Sequence, residues 1–229
     1  MGPAPALVAC AHGTRDPAGR RALAALRDAV AAGRPGLRVV EAYVDVQEPS
    51  LPLALGGLGS AVVVPLLLSA GYHVNVDVAA AVESAGPGIR RARALGPDGA
   101  LAEVLAERLD RAGLADHSVV LAAAGSSDHR AVRDVEQTAH CLGRLIARDV
   151  VAAYASAAEP RVGDAASALA AAGHRVAVAS YVMAPGFFYD RLLEVRADLH
   201  TPPLLPHPAI VDLVLRRYDE AVTAASPVL

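Results

Sequence analysis

The feature that most constrains the fold is an internal repeat, because two copies of one segment are expected to share one fold. The aligned pairs are AHGTRDP (11–17) with AAGSSDH (123–129), VVEAYVDVQEPSLPLAL (39–55) with VVAAYASAAEPRVGDAA (150–166), and AVVVPLLLSAGYHVNVD (61–77) with VAVASYVMAPGFFYDRL (176–192). The pairs follow in the same order with nearly constant offsets of 112, 111 and 115. The repeat predicts two domains, residues 1–114 and 115–229, called below the first half and the second half. Duplicated α/β units commonly enclose a ligand-binding cleft.

Within each half, apolar runs of strand length alternate with longer segments of helical period. The first half has predicted strands at 6–11, 37–44 and 61–68, and predicted helices at 17–32, from 49 to 55, after 72 and at 99–112. Such alternation predicts an α/β fold with a doubly wound parallel sheet, helices on both faces and strand order 2-1-3.

Composition excludes several classes of protein. Hydrophobic residues make up 54% of the chain, which supplies a core and excludes extended disorder. Aromatic residues make up 3% and the net charge is −3 without a basic run, so neither nucleic acid nor an anionic membrane is expected as a partner. The N-terminal segment has no basic region, and its apolar stretch is too short to span a bilayer. We therefore expect a cytoplasmic protein.

The two halves differ at three positions that carry chemistry. The first half has His12, Asp45 and His73 where the second half has Ala124, Ser156 and Phe188. These three residues follow predicted strands 1, 2 and 3, whose carboxyl ends open into one crevice. One histidine at a strand end is more often structural, but two in one unit favour a site. Two imidazoles and a carboxylate suit a borderline divalent ion such as Fe²⁺, Co²⁺, Ni²⁺ or Zn²⁺.

These motifs resemble the sirohydrochlorin chelatases, the class II chelatases of the CbiX/SirB type. The matching phrases of the first half are HGTRDP (12–17), YVDVQEPSL (43–51) and VVVPLLLSAGYHVNVDV (62–78). AGSSD (124–128) and SYVMAPGFFYDRL (180–192) are similar to the degenerate second domain of the two-domain form. The resemblance implies two tandem flavodoxin-like domains facing a tetrapyrrole cleft. It also implies an ATP-independent lyase that inserts Fe²⁺ or Co²⁺ into sirohydrochlorin.

The resemblance assigns roles to individual residues. His12 and His73 match the metal-binding histidines, with the divalent metal as a substrate and no organic cofactor. Asp45 stands where many members have Glu, so it could ligate the metal, act through water or serve as a base. Two further groups are candidates for substrate contact. Arg15 and Ser126 could bind the carboxylates of the substrate. The rings that could pack on the macrocycle are those of Tyr72, Phe187, Phe188 and Tyr189. The alternative is that these six belong to the core and the surface.

Other functions remain open at this stage. Family expectation favours iron and sirohaem over cobalt and cobalamin, and nickel is a more distant choice. The same histidine pair would serve a metal or tetrapyrrole carrier without turnover. A periplasmic-type two-domain binding protein is disfavoured by the N-terminal sequence and the short chain. Because the two domains are fused, the chain is expected to work as a monomer, with a homo-oligomer as the alternative.

Overall fold

A computed structural model describes residues 4–69 and 71–224, except for the side chains of residues 72–75. Two four-stranded parallel sheets form its frame. The strands are β1 (Ala6–Ala11), β2 (Val39–Tyr43), β3 (Ala61–Pro65) and β4 (Ile89–Arg91) in the first half, and β5 (Ser118–Ala123), β6 (Val150–Tyr154), β7 (Val176–Tyr181) and β8 (Leu199–His200) in the second. Their orders, β2-β1-β3-β4 and β6-β5-β7-β8, are the same. The doubly wound parallel fold and the duplication are confirmed.

Helices connect the strands in both halves. They are α1 (Pro17–Gly33), α2 (Leu51–Leu55), α3 (Tyr72–Ala85), α4 (Gly99–Arg111), α5 (His129–Ile146), α6 (Val162–Ala171), α7 (Phe187–Leu193) and α8 (Pro208–Thr223). Aspartates cap three of the longer ones, as Asp16 does by accepting a hydrogen bond from the Gly19 amide at 2.8 Å. In the described ranges, we find no helix with the length and apolar character needed to cross a bilayer.

The predicted elements differ from the observed ones mainly at their ends. The strand predicted at 61–68 ends at Pro65, and that at 37–44 is shortened to Val39–Tyr43. Strand β4 was not predicted because it has only three residues, two of which are arginines, and shows no period-2 apolar pattern. It pairs with β3 at the sheet edge, where a short polar strand is tolerated.

Alternate residues of the central strands divide between an inner and an outer core. Leu7 and Val62 belong to a large apolar cluster that also contains Leu121 and Ala179 of the second half. The other faces of the two sheets contribute to separate clusters, one covered by α2 and α3 and one by α6 and α7. The two sheets therefore share one inner core.

Two helices are exchanged between the halves in this inner core. Helix α4 follows β4 of the first half but contacts α5 and β7 of the second, whereas α8 follows β8 and contacts α1 and β3 of the first. The Tyr218 hydroxyl on α8 donates to the Pro5 carbonyl at 2.6 Å, and Arg108 on α4 donates to the Leu204 carbonyl at 2.9 Å. Each sheet is therefore covered by a helix from the other half.

A buried guanidinium holds α8 on the first half. Arg217 is 1% exposed, donates to the carbonyls of Ala94 and Leu95 at 2.9 and 3.1 Å, and pairs with the Asp98 carboxylate at 2.8 Å. Burial raises the pKa of Asp98, but the Ala100 amide and the neighbouring guanidinium groups outweigh it and hold that pKa below its ordinary value. Asp98 thus both caps α4 and faces a buried charge on α8.

We expect Asp98→Asn to lower the free energy of unfolding by about 2 kcal/mol at neutral pH, because the amide still caps α4 but no longer carries the charge that faces Arg217. Since the pKa of Asp98 is lower in the folded state, its contribution is present above the unfolded-state pKa and disappears as the pH falls through the folded-state pKa. Urea unfolding of both proteins at neutral pH and stepwise toward acid measures this difference. Asp116→Asn, which breaks an exposed pair with Arg175, is the matched control and should change stability little. A wild-type advantage that does not shrink in acid would contradict the assignment.

Candidate functional site

The loops after β1 and β2 bring two of the predicted residues together. The Asp45 amide donates to the His12 carbonyl at 3.1 Å, continuing the β1–β2 pairing past the strand ends. Between them Gly13 has φ +98°, and a Cβ built there would lie 2.2 Å from the Asp45 carbonyl oxygen. Only glycine fits this close approach. His12 and Asp45 are both exposed and lie side by side on the carboxyl edge of the first sheet.

Short polar contacts hold these loops in place. One Asp45 carboxylate oxygen accepts the Val46 amide at 2.7 Å, and the Gln47 side-chain oxygen accepts the Thr14 amide at 2.7 Å. Val46 has φ +67°, a region that β-branched residues rarely adopt, so the turn carries backbone strain. The turn after β2 is therefore held in one conformation, and it carries the carboxylate.

The third predicted strand end leads into α3. This helix begins at Tyr72, so His73 stands in its first turn. The side chains of Tyr72 and His73 lie outside the described residues. A Cβ built on Gly71, the residue before the helix, would lie 3.5 Å from the Ser126 hydroxyl oxygen of the second half. The helix carrying His73 thus starts where the two halves meet.

A complete metal site is not visible among the described side chains. In residues 4–69 and 71–224, apart from the side chains of 72–75, no cluster of three or more His, Cys, Asp or Glu groups is close enough to hold an ion. Cys10 lies two residues before His12, but burial raises the pKa of its thiol to about 12, so it remains a protonated core residue. Of the three residues predicted to hold an ion, His12 and Asp45 are those whose side chains the structure describes.

The second half repeats the backbone of these loops without the imidazole and the carboxylate. Ser156 donates its amide to the Ala124 carbonyl at 3.0 Å, as Asp45 does to His12. Gly125 has φ +94°, with a built Cβ 1.8 Å from the Ser156 carbonyl oxygen, and Ala157 has φ +57°. The repeat therefore preserves the backbone of the site, and only the first half adds an imidazole and a carboxylate to it.

Arg15 and Ser126, predicted to meet substrate carboxylates, lie at equivalent loops of the two halves. Arg15 is exposed next to Thr14, whose hydroxyl oxygen accepts the Asp16 amide at 3.1 Å. The Ser126 hydroxyl oxygen accepts the Asp128 amide at 3.1 Å, which is the same turn in the second half. Ser126 therefore orders the turn before α5.

The three predicted aromatic contacts of α7 have different environments. Phe187 is 66% exposed, while Phe188 and Tyr189 are half-buried and pack against the outer core of the second half. The Arg191 guanidinium lies 5.6 Å from the centre of the Phe187 ring. The sequence analysis did not identify Arg191. Its position one helical turn after Phe187 could have indicated that the two side chains are in contact.

The start of α7 touches the loop that carries His12. A Cβ built on Gly186 would lie 3.1 Å from the Thr14 hydroxyl oxygen, and one built on Gly19 would lie 2.4 Å from the Pro185 carbonyl oxygen. Phe187 follows directly, so the helix that carries this exposed ring begins beside the His12 loop.

A cavity of about 520 Å³ lies between the ends of β3 and β4 and helix α5. Arg91 and Arg93 line it on one side, and Asp134 and Gln137 of α5 on the other. The sequence did not single out these residues because they come from segments distant in the chain. His12, Asp45 and Phe187 are not among its described lining residues, so the tetrapyrrole cleft between the halves stays a prediction.

Comparison with known proteins adds the evolutionary relationship. The family model CbiX matches residues 6–112 and again 118–221. No curated protein sequence matches the chain.

Three solved structures share the fold over nearly the whole chain. SirB from Bacillus subtilis with Fe³⁺ has a TM-score of 0.81 at 22% identity, with 96% of each chain covered. SirB from Bacillus subtilis subspecies spizizenii in complex with cobalt has a TM-score of 0.76 at 22% identity, with 94% of each chain covered. CbiX, described as the terminal enzyme for biosynthesis of sirohaem in denitrifying bacteria, has a TM-score of 0.72 at 21% identity, covering 96% of this chain and 99% of that one. Because the family model matches each half over nearly its whole length, the chain belongs to the CbiX family.

Proposed function

We propose that this chain is a sirohydrochlorin chelatase that inserts Fe²⁺ into sirohydrochlorin to give sirohaem, without ATP. The observation that carries the proposal is the pairing of His12 and Asp45 at the sheet edge from which the helix bearing His73 starts. Membership in the CbiX family supports it, as do the iron-bound SirB and the sirohaem-forming CbiX among the structures of like fold.

Insertion exchanges two pyrrole N–H protons for one divalent ion. His12 and His73 hold the ion through imidazole nitrogens, which suit a borderline divalent metal. A site with few protein ligands suits a metal that is transferred to the macrocycle. Asp45, whose amide is bonded to the His12 carbonyl, accepts one of the two pyrrole protons, and an imidazole freed by the departing metal accepts the other.

Both halves contribute side chains to the binding surface for the macrocycle. The exposed Phe187 ring packs on the tetrapyrrole, together with Tyr72. Arg15 and Ser126 bind peripheral carboxylates of the substrate. Phe188 and Tyr189, on the same helix, pack against the outer core and so fix the helix that carries Phe187.

Cobalt insertion is the second candidate, because one structure of like fold is a SirB in complex with cobalt. The same ligands accept both ions, and the general order of affinities places Co²⁺ above Fe²⁺. The relative rates with the two ions therefore decide which product the enzyme makes.

We expect His12→Ala and His73→Ala each to lower the rate of metal insertion about 100-fold or more, because each removes an imidazole that holds the metal. Anaerobic assays with sirohydrochlorin and Fe²⁺ or Co²⁺, followed by absorbance, measure the rate. His140→Ala, on the exposed surface of α5, is the control and should retain wild-type activity. Wild-type protein that binds the macrocycle but inserts neither ion above background would show a carrier instead. Faster insertion of Co²⁺ would replace iron by cobalt in the proposal.

Asp45→Asn separates a base from a ligand. If Asp45 accepts a proton, the variant should lose roughly 100-fold in kcat while binding Co²⁺ with nearly unchanged affinity, because an amide is isosteric but not basic. The kinetics and a Co²⁺ titration are measured on the same preparation. Loss of Co²⁺ affinity equal to that of His12→Ala would instead make Asp45 a metal ligand.

Phe187→Ala should raise KM for sirohydrochlorin about fivefold with little change in kcat, because a stacked ring contributes about 1 kcal/mol beyond its buried area. Leu193→Ala is the matched control, since this residue is also exposed and ends the same helix. Equal KM values for the two variants would contradict a contact between Phe187 and the macrocycle.

A further inference from the structure

The second half has a buried tyrosine where the first half has a leucine. In the repeat, Tyr181 aligns with Leu66. Tyr181 is the last residue of β7, and Leu66 directly follows β3. Tyr181 is 2% exposed and lies in the inner core shared by the two halves. A phenol at this depth requires a hydrogen-bond partner, and the partner it uses belongs to the other half.

The Tyr181 hydroxyl donates to the Leu68 carbonyl at 2.8 Å. Leu68 lies in the loop that runs from β3 to the helix carrying His73. The Thr138 hydroxyl on α5 lies 3.2 Å from the Tyr181 oxygen, so a second group orients the phenol. Burial raises the pKa of Tyr181 well above its usual range, so the hydroxyl remains a donor wherever the protein is folded.

This bond completes a series that holds three successive residues after β3. The Leu66 amide donates to the Cys10 carbonyl at 2.7 Å, and the Leu67 carbonyl accepts the Gly96 amide at 3.1 Å. Those two bonds lie within the first half, whereas the third comes from Tyr181. The loop is therefore attached to its own sheet and, one residue later, to the second half.

Gly96 shows how closely these groups approach. A Cβ built there would lie 2.0 Å from the Leu68 carbonyl oxygen and 2.6 Å from the Tyr181 hydroxyl oxygen. Only a residue without a side chain allows the loop, the β4–α4 connection and the phenol to meet. Any side chain at position 96 would displace the bond between Tyr181 and Leu68.

We propose that Tyr181 is a positioning residue, through which the second half fixes the β3–α3 loop and hence the place of His73 relative to His12. The inference rests on the proposed function, because it assigns the metal to these two histidines. It gives the half without metal-binding histidines a role in the geometry of the metal site. A carbonyl released from this bond lets the loop adopt other conformations, and imidazoles that are not held in position bind an ion more weakly.

The test compares Tyr181→Phe with Tyr218→Phe. Both substitutions remove one oxygen from a buried tyrosine that donates to a carbonyl of the first half, Leu68 in one case and Pro5 in the other. Pro5 precedes β1, at the opposite end of the sheet from the site. Tyr218→Phe therefore controls for the loss of a hydrogen bond between the halves.

We expect Tyr181→Phe to weaken Co²⁺ binding about tenfold, to change the visible spectrum of bound Co²⁺ and to lower kcat, with KM for sirohydrochlorin unchanged. Tyr218→Phe should match wild type in all four, even if thermal unfolding shows an equal loss of stability for both variants. The spectrum of bound Co²⁺ reports coordination, which a purely structural contribution to stability would not alter.

Indistinguishable Co²⁺ binding, Co²⁺ spectra and kcat in the two variants would overturn the role of Tyr181 while leaving the chelatase intact. Wild-type protein that binds no Co²⁺ and inserts neither ion would overturn the proposed function and this inference together. Wild-type insertion activity combined with a selective defect in Tyr181→Phe would support both.

Discussion

The exchange of α4 and α8 is the interaction on which the rest of the structure depends. Each sheet buries its inner face against a helix that follows the other sheet in the chain, so the halves share one core and cannot shift independently without exposing apolar surface. The ion pair of the buried Arg217 with Asp98 reinforces this arrangement at the junction of α8 with α4. The relative position of the two rows of strand ends follows from it.

The two halves share one loop geometry but carry different side chains on it. Gly13 and Gly125 allow the same close approach in both halves, but the neighbouring side chains are His12 and Asp45 in one case and Ala124 and Ser156 in the other. In the proposed reaction, a metal bound by few ligands in the first half passes to a flat macrocycle. The second half carries the exposed Phe187 ring and the Tyr181 hydroxyl that is bonded to the β3–α3 loop.

Much of the candidate site could be predicted because parallel strands place their carboxyl ends on one edge. The adjacency of His12 and Asp45 required only the strand order 2-1-3 and the alignment of the halves. That Phe187 is exposed while Phe188 and Tyr189 are half-buried could not be predicted. Three successive aromatic residues give no indication of which ones face the outer core until the orientation of the helix is known. Strand β4 was not predicted for a related reason. Its three residues show no local strand pattern, and they form a strand because they pair with β3.

The duplication, the parallel α/β fold and the chemical asymmetry between the halves can be read from the sequence alone, because they depend on local periodicity and on which residue types stand at aligned positions. The folded structure was needed to find the exchange of α4 and α8, the bond from the Tyr181 hydroxyl to Leu68, and the burial of Arg217 against Asp98. The last two contacts join residues that are 113 and 119 positions apart in the chain. Which distant surfaces pack together depends on the fit of whole faces in a shared core, and no local pattern encodes that fit.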